Sequence, residues 1–263
     1  MTERGSNESH KVIHLGTEST GQIELSWFGL THVGHRREVN QDSYVAVPPV
    51  FAVADGMGGH AAGEIASQAV VRRLADLGPD MVSREELETA LVSAIEDIEL
   101  HVGETELGTG TTVTGVLLEI EEQTPVWAVF NIGDSRVYQL FEGALSRLTI
   151  DHSVVQHLID TGQITPDEAE YHPHANVITR AVGMNEEPIP DYRTVALVPG
   201  QRLLICSDGL TKELTDNGIR HYLTSAETAK DAAEVLLSEA LGNAGRDNIT
   251  VLVIDVHAVS HAE

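Results

Sequence analysis

The sequence predicts an α+β fold with antiparallel sheets. Strand-like runs come in pairs joined by short turns, and helical patterns fall between groups of strands, with few βαβ alternations. No Pro/Gly/Ser linker long enough to separate domains interrupts the pattern, so one domain over residues 23–257 is expected. Apolar residues make up 41 % of the 263, enough for a sizeable core.

Taken in order, residues 1–22 are polar and aperiodic and read as a flexible tail, as do 258–263 at the other end. The runs ELSWFGLTHVG, SYVAV, VFAVA, TTVTGVLLEI, PVWAVFNI, RVYQLF, ALSRLT, RLLICS and NITVLVIDV are rich in β-branched and aromatic residues and read as strands. Glu142-Gly143 between RVYQLF and ALSRLT reads as a hairpin turn. After a Gly-rich turn, AAGEIASQAVVRRLADL reads as a helix stopped by Gly78-Pro79. Ser83 with Glu86 forms a capping box for a second helix, whose Leu87, Leu91, Ile95 and Ile98 share one face. Thr165-Pro166-Asp167-Glu168 is another helix start, and a last helix follows Ser225.

Charge narrows the functions available. There are 16 Lys+Arg against 41 Asp+Glu, a formal net charge of -25. That balance opposes holding a nucleic-acid backbone, which needs cations to displace counterions, and opposes docking on an anionic membrane. No apolar stretch approaches the roughly 20 residues that span a bilayer. The start, MTERGSNESHKVIHLG, lacks a basic region leading into an apolar core. One Cys excludes an internal disulfide. A soluble, cytoplasmic, monomeric protein is the expectation.

Most of the acidity reads as solvated surface, the Glu-rich helix after Ser83 included. Five aspartates stand apart. Asp55, Asp134 and Asp208 each end a strong strand beside a small residue, while Asp42 and Asp247 each begin one. In an antiparallel sheet the end of one strand lies beside the start of its neighbour, so all five could share one sheet edge. An Asp-Gly after a strand is ordinarily a turn, but Asp55 is followed by Gly56-Met57-Gly58-Gly59 and then a helix. Four carboxylates about 5 Å apart would repel by roughly 3 kcal/mol per pair, about 20 kcal/mol in all. Such a cluster needs protons or divalent cations, and all-oxygen ligands select Mg2+ or Mn2+. Two such ions together make a site for hydrolysing phosphate esters, with a metal-bound hydroxide as nucleophile. Arg37, close to Asp42 in sequence, supplies a guanidinium fork suited to a phosphoryl group.

Other chemistries fit less well. Cys206 lies in an apolar strand and position 212 is Lys, so no Cys-x5-Arg nucleophile loop exists there. The Gly-rich turn is not G-x-G-x-x-G. His172 and His174 lie in a polar loop, where solvation is the simpler reading.

The ordered set of motifs resembles the metal-dependent Ser/Thr protein phosphatases, the PPM or type 2C family, in its short bacterial form. The matching pieces are Arg37-x-x-Asn40-Gln41-Asp42, VADGMGGH around Asp55, Gly108-Thr109-Gly110-Thr111-Thr112 and NIGDSRVY around Asp134. They continue with LTIDHSVV around Asp151, Asn176 to Ala181, CSDGLTKEL around Asp208 and Gly245-Arg246-Asp247-Asn248. The resemblance implies a four-layer αββα sandwich, two antiparallel sheets flanked by helices. It implies two to three Mn2+ or Mg2+ ions held by Asp42, Asp55, the Gly56 carbonyl, Asp134, Asp208 and Asp247. Arg37 would bind the substrate phosphate, with Arg37 and Asp42 as catalytic residues, and residues 151–183 would form a flap. The implied activity is hydrolysis of phosphoserine and phosphothreonine on proteins by a metal-bridging hydroxide, opposing a bacterial Ser/Thr kinase. The alternative is a non-catalytic phosphoprotein-binding scaffold of the same fold. Two departures stand out: Met57 replaces the His of animal members, leaving His60, a metal-bound water or a flap group as acid, and Gln41 stands where many members have Glu.

Overall fold

The computed structural model describes residues 2–5, 8–14, 21–59, 62–78, 81–102, 109–169, 171–184 and 187–260. In chain order, the first half comprises β1 (Thr2–Gly5), β2 (Glu8–His14), β3 (Gln22–His32), β4 (Asp42–Val47), β5 (Val50–Met57), α1 (Ala62–Ala75), α2 (Arg84–Val102), β6 (Gly110–Thr111) and β7 (Val113–Glu121). Then follow β8 (Thr124–Ile132), β9 (Arg136–Phe141), β10 (Ala144–Arg147), α3 (Val154–Asp160), α4 (Pro166–Ala169) and β11 (Asp191–Ala196). The chain closes with β12 (Arg202–Cys206), α5 (Asp208–Thr211), α6 (Asp216–Ser225), α7 (Ala229–Asn243) and β13 (Ile249–Ser260).

Two sheets result. The first runs β1-β4-β5-β7-β8-β11 with β6 attached to β5, and the second runs β10-β9-β12-β13-β3-β2. Pairing is antiparallel throughout, except that β1 runs parallel to β4. The period-2 geometry of a strand explains why VFAVA is apolar at every position. Val50, Ala52 and Ala54 face α1 and α2, while Phe51 and Val53 face the second sheet. Between the sheets Phe51 is flanked edge-on by Trp27 at 5.2 Å and Trp127 at 6.2 Å. The outer face of the second sheet is covered by α6 and α7 through Ile219, Leu223, Ala233, Leu236 and Ala240. The architecture is therefore helix, sheet, sheet, helix.

Local signals account for several boundaries. Ser83 and Glu86 cap α2 reciprocally, the Glu86 amide donating to Ser83 Oγ at 3.2 Å and the Ser83 amide to Glu86 Oε2 at 2.8 Å. Glu142 and Gly143 adopt φ of 51° and 77°, the left-handed pair that a two-residue hairpin requires. Other boundaries depart from the sequence reading. Residues expected as a tail include β1 and β2. In β2 the segment lies on β3, with Ile13 packed against the inter-sheet core. The open edge of β3 offers it backbone partners that no local pattern announces. At the far end β13 continues to Ser260, paired with Gln22; residues 261–263 lie outside the described set. The helix expected after Ser225 is α7, which starts after Thr228, in a capping box with Asp231; α6, which ends at Ser225, is a further helix that the sequence reading did not place.

Candidate active site

The five aspartates come together, but not along one sheet edge. Asp42 and Asp55 are register partners on β4 and β5 in the first sheet. Asp208 follows β12 and Asp247 precedes β13, both in the second. Asp134 lies in the turn where the chain passes from β8 in one sheet to β9 in the other. The site therefore straddles one end of the sandwich. Period-2 alternation carries no information on which ends of two stacked sheets coincide, so this arrangement was not legible in the sequence.

An open cavity of about 330 Å³ is lined by Arg37, Asp55, Asp134, Asp208, Lys212 and Asp247, with Asn176 and Ile178 contributed by the segment expected as a flap. That segment is anchored at its start: Asp151 pairs with Arg136 at 2.6 Å and Arg147 at 3.5 Å. It is tied down again where the Val154 amide donates to the Val177 carbonyl at 2.9 Å.

Two glycines permit the close approaches. A Cβ on Gly56 would lie 2.1 Å from the Gly63 carbonyl oxygen, so only glycine lets the α1 N-terminus sit against this strand end. A Cβ on Gly209 would lie 1.9 Å from the Asn248 carbonyl oxygen, and its absence brings the Asp208 turn against the Asp247 loop. Threonines brace Asp55. Its amide donates to Thr112 Oγ1 at 2.9 Å, and its carbonyl accepts from Thr111 Oγ1 at 2.9 Å. Thr112 Oγ1 also meets Ser135 Oγ at 2.9 Å, linking the Asp55 and Asp134 segments.

Asp42 is buried, with Oδ2 accepting from Thr250 Oγ1 at 2.7 Å. Thr250 Oγ1 is in turn 2.7 Å from Thr31 Oγ1, which accepts from Asn40 Nδ2 at 2.8 Å. These distances form a directed chain from Asn40 through both hydroxyls onto the carboxylate. Asp42 Oδ1 and Asp208 Oδ1 are buried without any hydrogen-bond partner. Burial pushes the Asp42 carboxyl up to about 7, the Thr250 hydrogen bond opposing it and the nearby charges of Asp208 and Asp247 adding to it. Burial, then the charge of Asp208, pushes Asp134 up to about 7, and Asp55 is raised well above the usual carboxylate range by burial and the charges of Asp42 and Asp208. These carboxylates lack a sufficient positive charge. An all-oxygen cluster with two orphaned buried oxygens fits hard divalent cations.

Asp247 behaves differently. Burial pushes it up, but the Arg37 hydrogen bond and the charges of Lys212 and Arg37 outweigh burial and hold it below the usual range. The Arg37 fork is bidentate, Nε to Oδ1 at 2.8 Å and Nη2 to Oδ2 at 3.0 Å. Sequence reasoning missed two contributors. Lys212 Nζ pairs with Asp208 Oδ2 and lies 3.2 Å from Asp247 Oδ2. The Asp208-x3-Lys212 spacing, one helical turn, was its available signal. Asn248 staples the Arg37 loop to the site: Nδ2 donates to the Val33 and Val39 carbonyls at 2.9 and 3.0 Å, and Oδ1 accepts from the Gln41 amide at 2.8 Å. Cys206 is fully buried and its thiol is pushed up to about 12 by burial, as befits a core residue. Met57 lines the cavity and carries no transferable proton, while His60 lies outside the described residues.

Comparison with known proteins agrees with this geometry. The protein phosphatase 2C family model matches residues 29–243. The chain belongs to the protein phosphatase 2C family. Protein phosphatase PhpP of Streptococcus pneumoniae is 39 % identical over 238 residues, 87 % of this chain and 96 % of that protein. The serine/threonine phosphatase stp of Listeria monocytogenes is 37 % identical over 216 residues, 79 % of this chain and 84 % of that protein. The crystal structure of the Mycobacterium tuberculosis serine/threonine phosphatase PstP/Ppp superposes with a TM-score of 0.80 at 36 % identity, covering 90 % of this chain and all of that one. A PstP catalytic domain in complex with two manganese ions gives a TM-score of 0.78 at 35 % identity, covering 91 % of this chain and all of that one. Membership of this family accounts for the two antiparallel sheets with flanking helices.

Proposed function

We propose that this chain is a metal-dependent phosphatase that hydrolyses phosphoserine and phosphothreonine on proteins. The observation that carries the reading is the convergence of Asp55, Asp134, Asp208 and Asp247 around one cavity, with Asp42 buried behind them as the register partner of Asp55 and two carboxylate oxygens, on Asp42 and Asp208, buried and unpartnered. Asp55, Asp208 and Asp247, with the Gly56 carbonyl, would hold one ion. Asp42 and Asp55 would serve a second, and Asp134 with Asp208 a third. Divalent ions bound there supply charge neutralisation and Lewis acidity toward a phosphate ester. Mn2+ or Mg2+ suits the oxygen donor set.

The chain's own residues do the rest. Arg37, half exposed at the cavity rim with its Nε and Nη2 on Asp247, would bind the phosphoryl oxygens through the guanidinium donors that Asp247 does not occupy. Asn248 fixes the loop that carries it. Asn40, Thr31 and Thr250 orient the Asp42 carboxylate. Arg37, Asp55, Asp208 and Asp247 all line the cavity, which favours an enzyme over a non-catalytic scaffold. Action in the cytoplasm as a monomer opposing a Ser/Thr kinase belongs to the same proposal; the acidic charge of -25 bears on partners alone, disfavouring nucleic acid and anionic membrane.

Turnover of p-nitrophenyl phosphate and of a phosphothreonine peptide, in Mn2+ and in EDTA, tests the reading. Activity confined to Mn2+ and abolished by Asp55→Asn is expected. Equal turnover in EDTA would exclude the metal mechanism, and no turnover in Mn2+ would favour the scaffold.

A further inference from the structure

Lys212 occupies a position that the phosphatase reading does not use. It caps the C-terminus of the short helix α5, one turn after Asp208. Its ammonium pairs with Asp208 and lies 3.2 Å from Asp247 Oδ2, and only one third of its side chain is exposed. The backbone there is held: the Lys212 amide donates to the Asp208 carbonyl at 2.8 Å, and Arg246 Nη2 donates to the Lys212 carbonyl at 2.9 Å. The side chain, four methylenes long and facing an open cavity, is the part free to move.

We infer that Lys212 is a built-in counter-ion of the carboxylate cage, which holds Asp208 and Asp247 together until a divalent cation displaces it. The inference rests on the metal-dependent reading above. An ammonium and a dication compete for the same carboxylate oxygens, and their like charges repel across a partly desolvated site. Lys212 therefore does two opposite things. It stabilises the metal-free fold by relieving repulsion among the aspartates, and it weakens the divalent ion bound between Asp208 and Asp247. The cage closes around metal only when the metal concentration is sufficient to evict the side chain, so this residue sets the metal threshold of the enzyme.

The test compares the full native chain with Lys212→Met, which keeps the length and removes the charge, and Lys212→Arg, which keeps the charge. Mn2+ affinity is measured by calorimetric titration and by the electron paramagnetic resonance signal of free Mn2+, and melting is followed in EDTA. Lys212→Met is expected to bind Mn2+ at least tenfold more tightly than the native chain and to melt at a lower temperature in EDTA, with Lys212→Arg close to native in both. Should Lys212→Met not fold, Lys212→Gln removes the same charge and is expected to show the same tenfold gain. Native Mn2+ affinity in the uncharged variants, with the native chain itself binding Mn2+, would overturn the role of Lys212 and leave the phosphatase reading intact. Absence of Mn2+ binding by the native chain would overturn both.

Discussion

Asp42 and Asp55 face each other as register partners across the antiparallel β4–β5 pair, two carboxylates where a sheet ordinarily avoids like charges. At a typical separation of about 5 Å the pair costs roughly 3 kcal/mol without a counter-ion. A fold retains such a pair when the charges serve a function. Asp55→Asn is therefore expected to melt about 5 °C higher than the native chain in EDTA, where repulsion dominates, and to lose the stabilisation that Mn2+ confers. Paired thermal melts with and without Mn2+ check this, and a lower melting temperature in EDTA would show that the aspartates do not repel.

The raised carboxyls give the metal-free chain an unusual pH dependence. Asp42 and Asp134 titrate near 7 when folded, chiefly because of burial, and near 4 when unfolded. Between those values the folded chain binds more protons, so its stability falls as pH rises. Melting temperature in EDTA should decrease from pH 5 to pH 8. The shift produced by Mn2+ should increase over the same range, because protons and metal compete for the same oxygens. A melting temperature that climbs with pH in EDTA would contradict the buried-cluster electrostatics.

Arg37→Ala removes the fork from the cavity rim. Charge-assisted hydrogen bonds contribute about 1.5–3 kcal/mol each, so a fall in kcat/KM of about 10- to 100-fold is expected. Mn2+ affinity should hold or improve, since Asp247 loses a competing cation. Steady-state kinetics with a Mn2+ titration separates the two effects, and loss of metal binding with retained kcat/KM would assign Arg37 a structural role instead.

Asn248 lines the cavity beside Asp247, and its side-chain amide joins three backbone groups of the Arg37 loop. Asn248→Ala leaves these groups partly buried and unsatisfied, a cost of about 2–3 kcal/mol. A melting temperature lower by about 5–10 °C is expected, with a raised KM as the loop loosens. An unchanged KM with full loss of stability would confine the role of Asn248 to folding.

The sequence by itself determined the α+β class, the core strands, the capped helix after Ser83 and the identity of the five aspartates with Arg37. Periodicity, capping residues and Asp-Gly junctions are local, so the order of residues alone carries them. The tertiary structure decided what depends on partners distant in sequence. It added β1, β2 and β11 at sheet edges, the last with Val195 as its one apolar β-branched residue. It formed the β7–β8 hairpin on Glu122 and Gln123, at φ of 49° and 68°, where no Gly or Asn announces a left-handed turn. It also drew Asp42 and Asp55 from one sheet against Asp208 and Asp247 from the other, with Lys212 between the latter two. Stacking two sheets fixes which strand ends coincide, and that relation is set by the packing of Trp27, Phe51 and Trp127 between them.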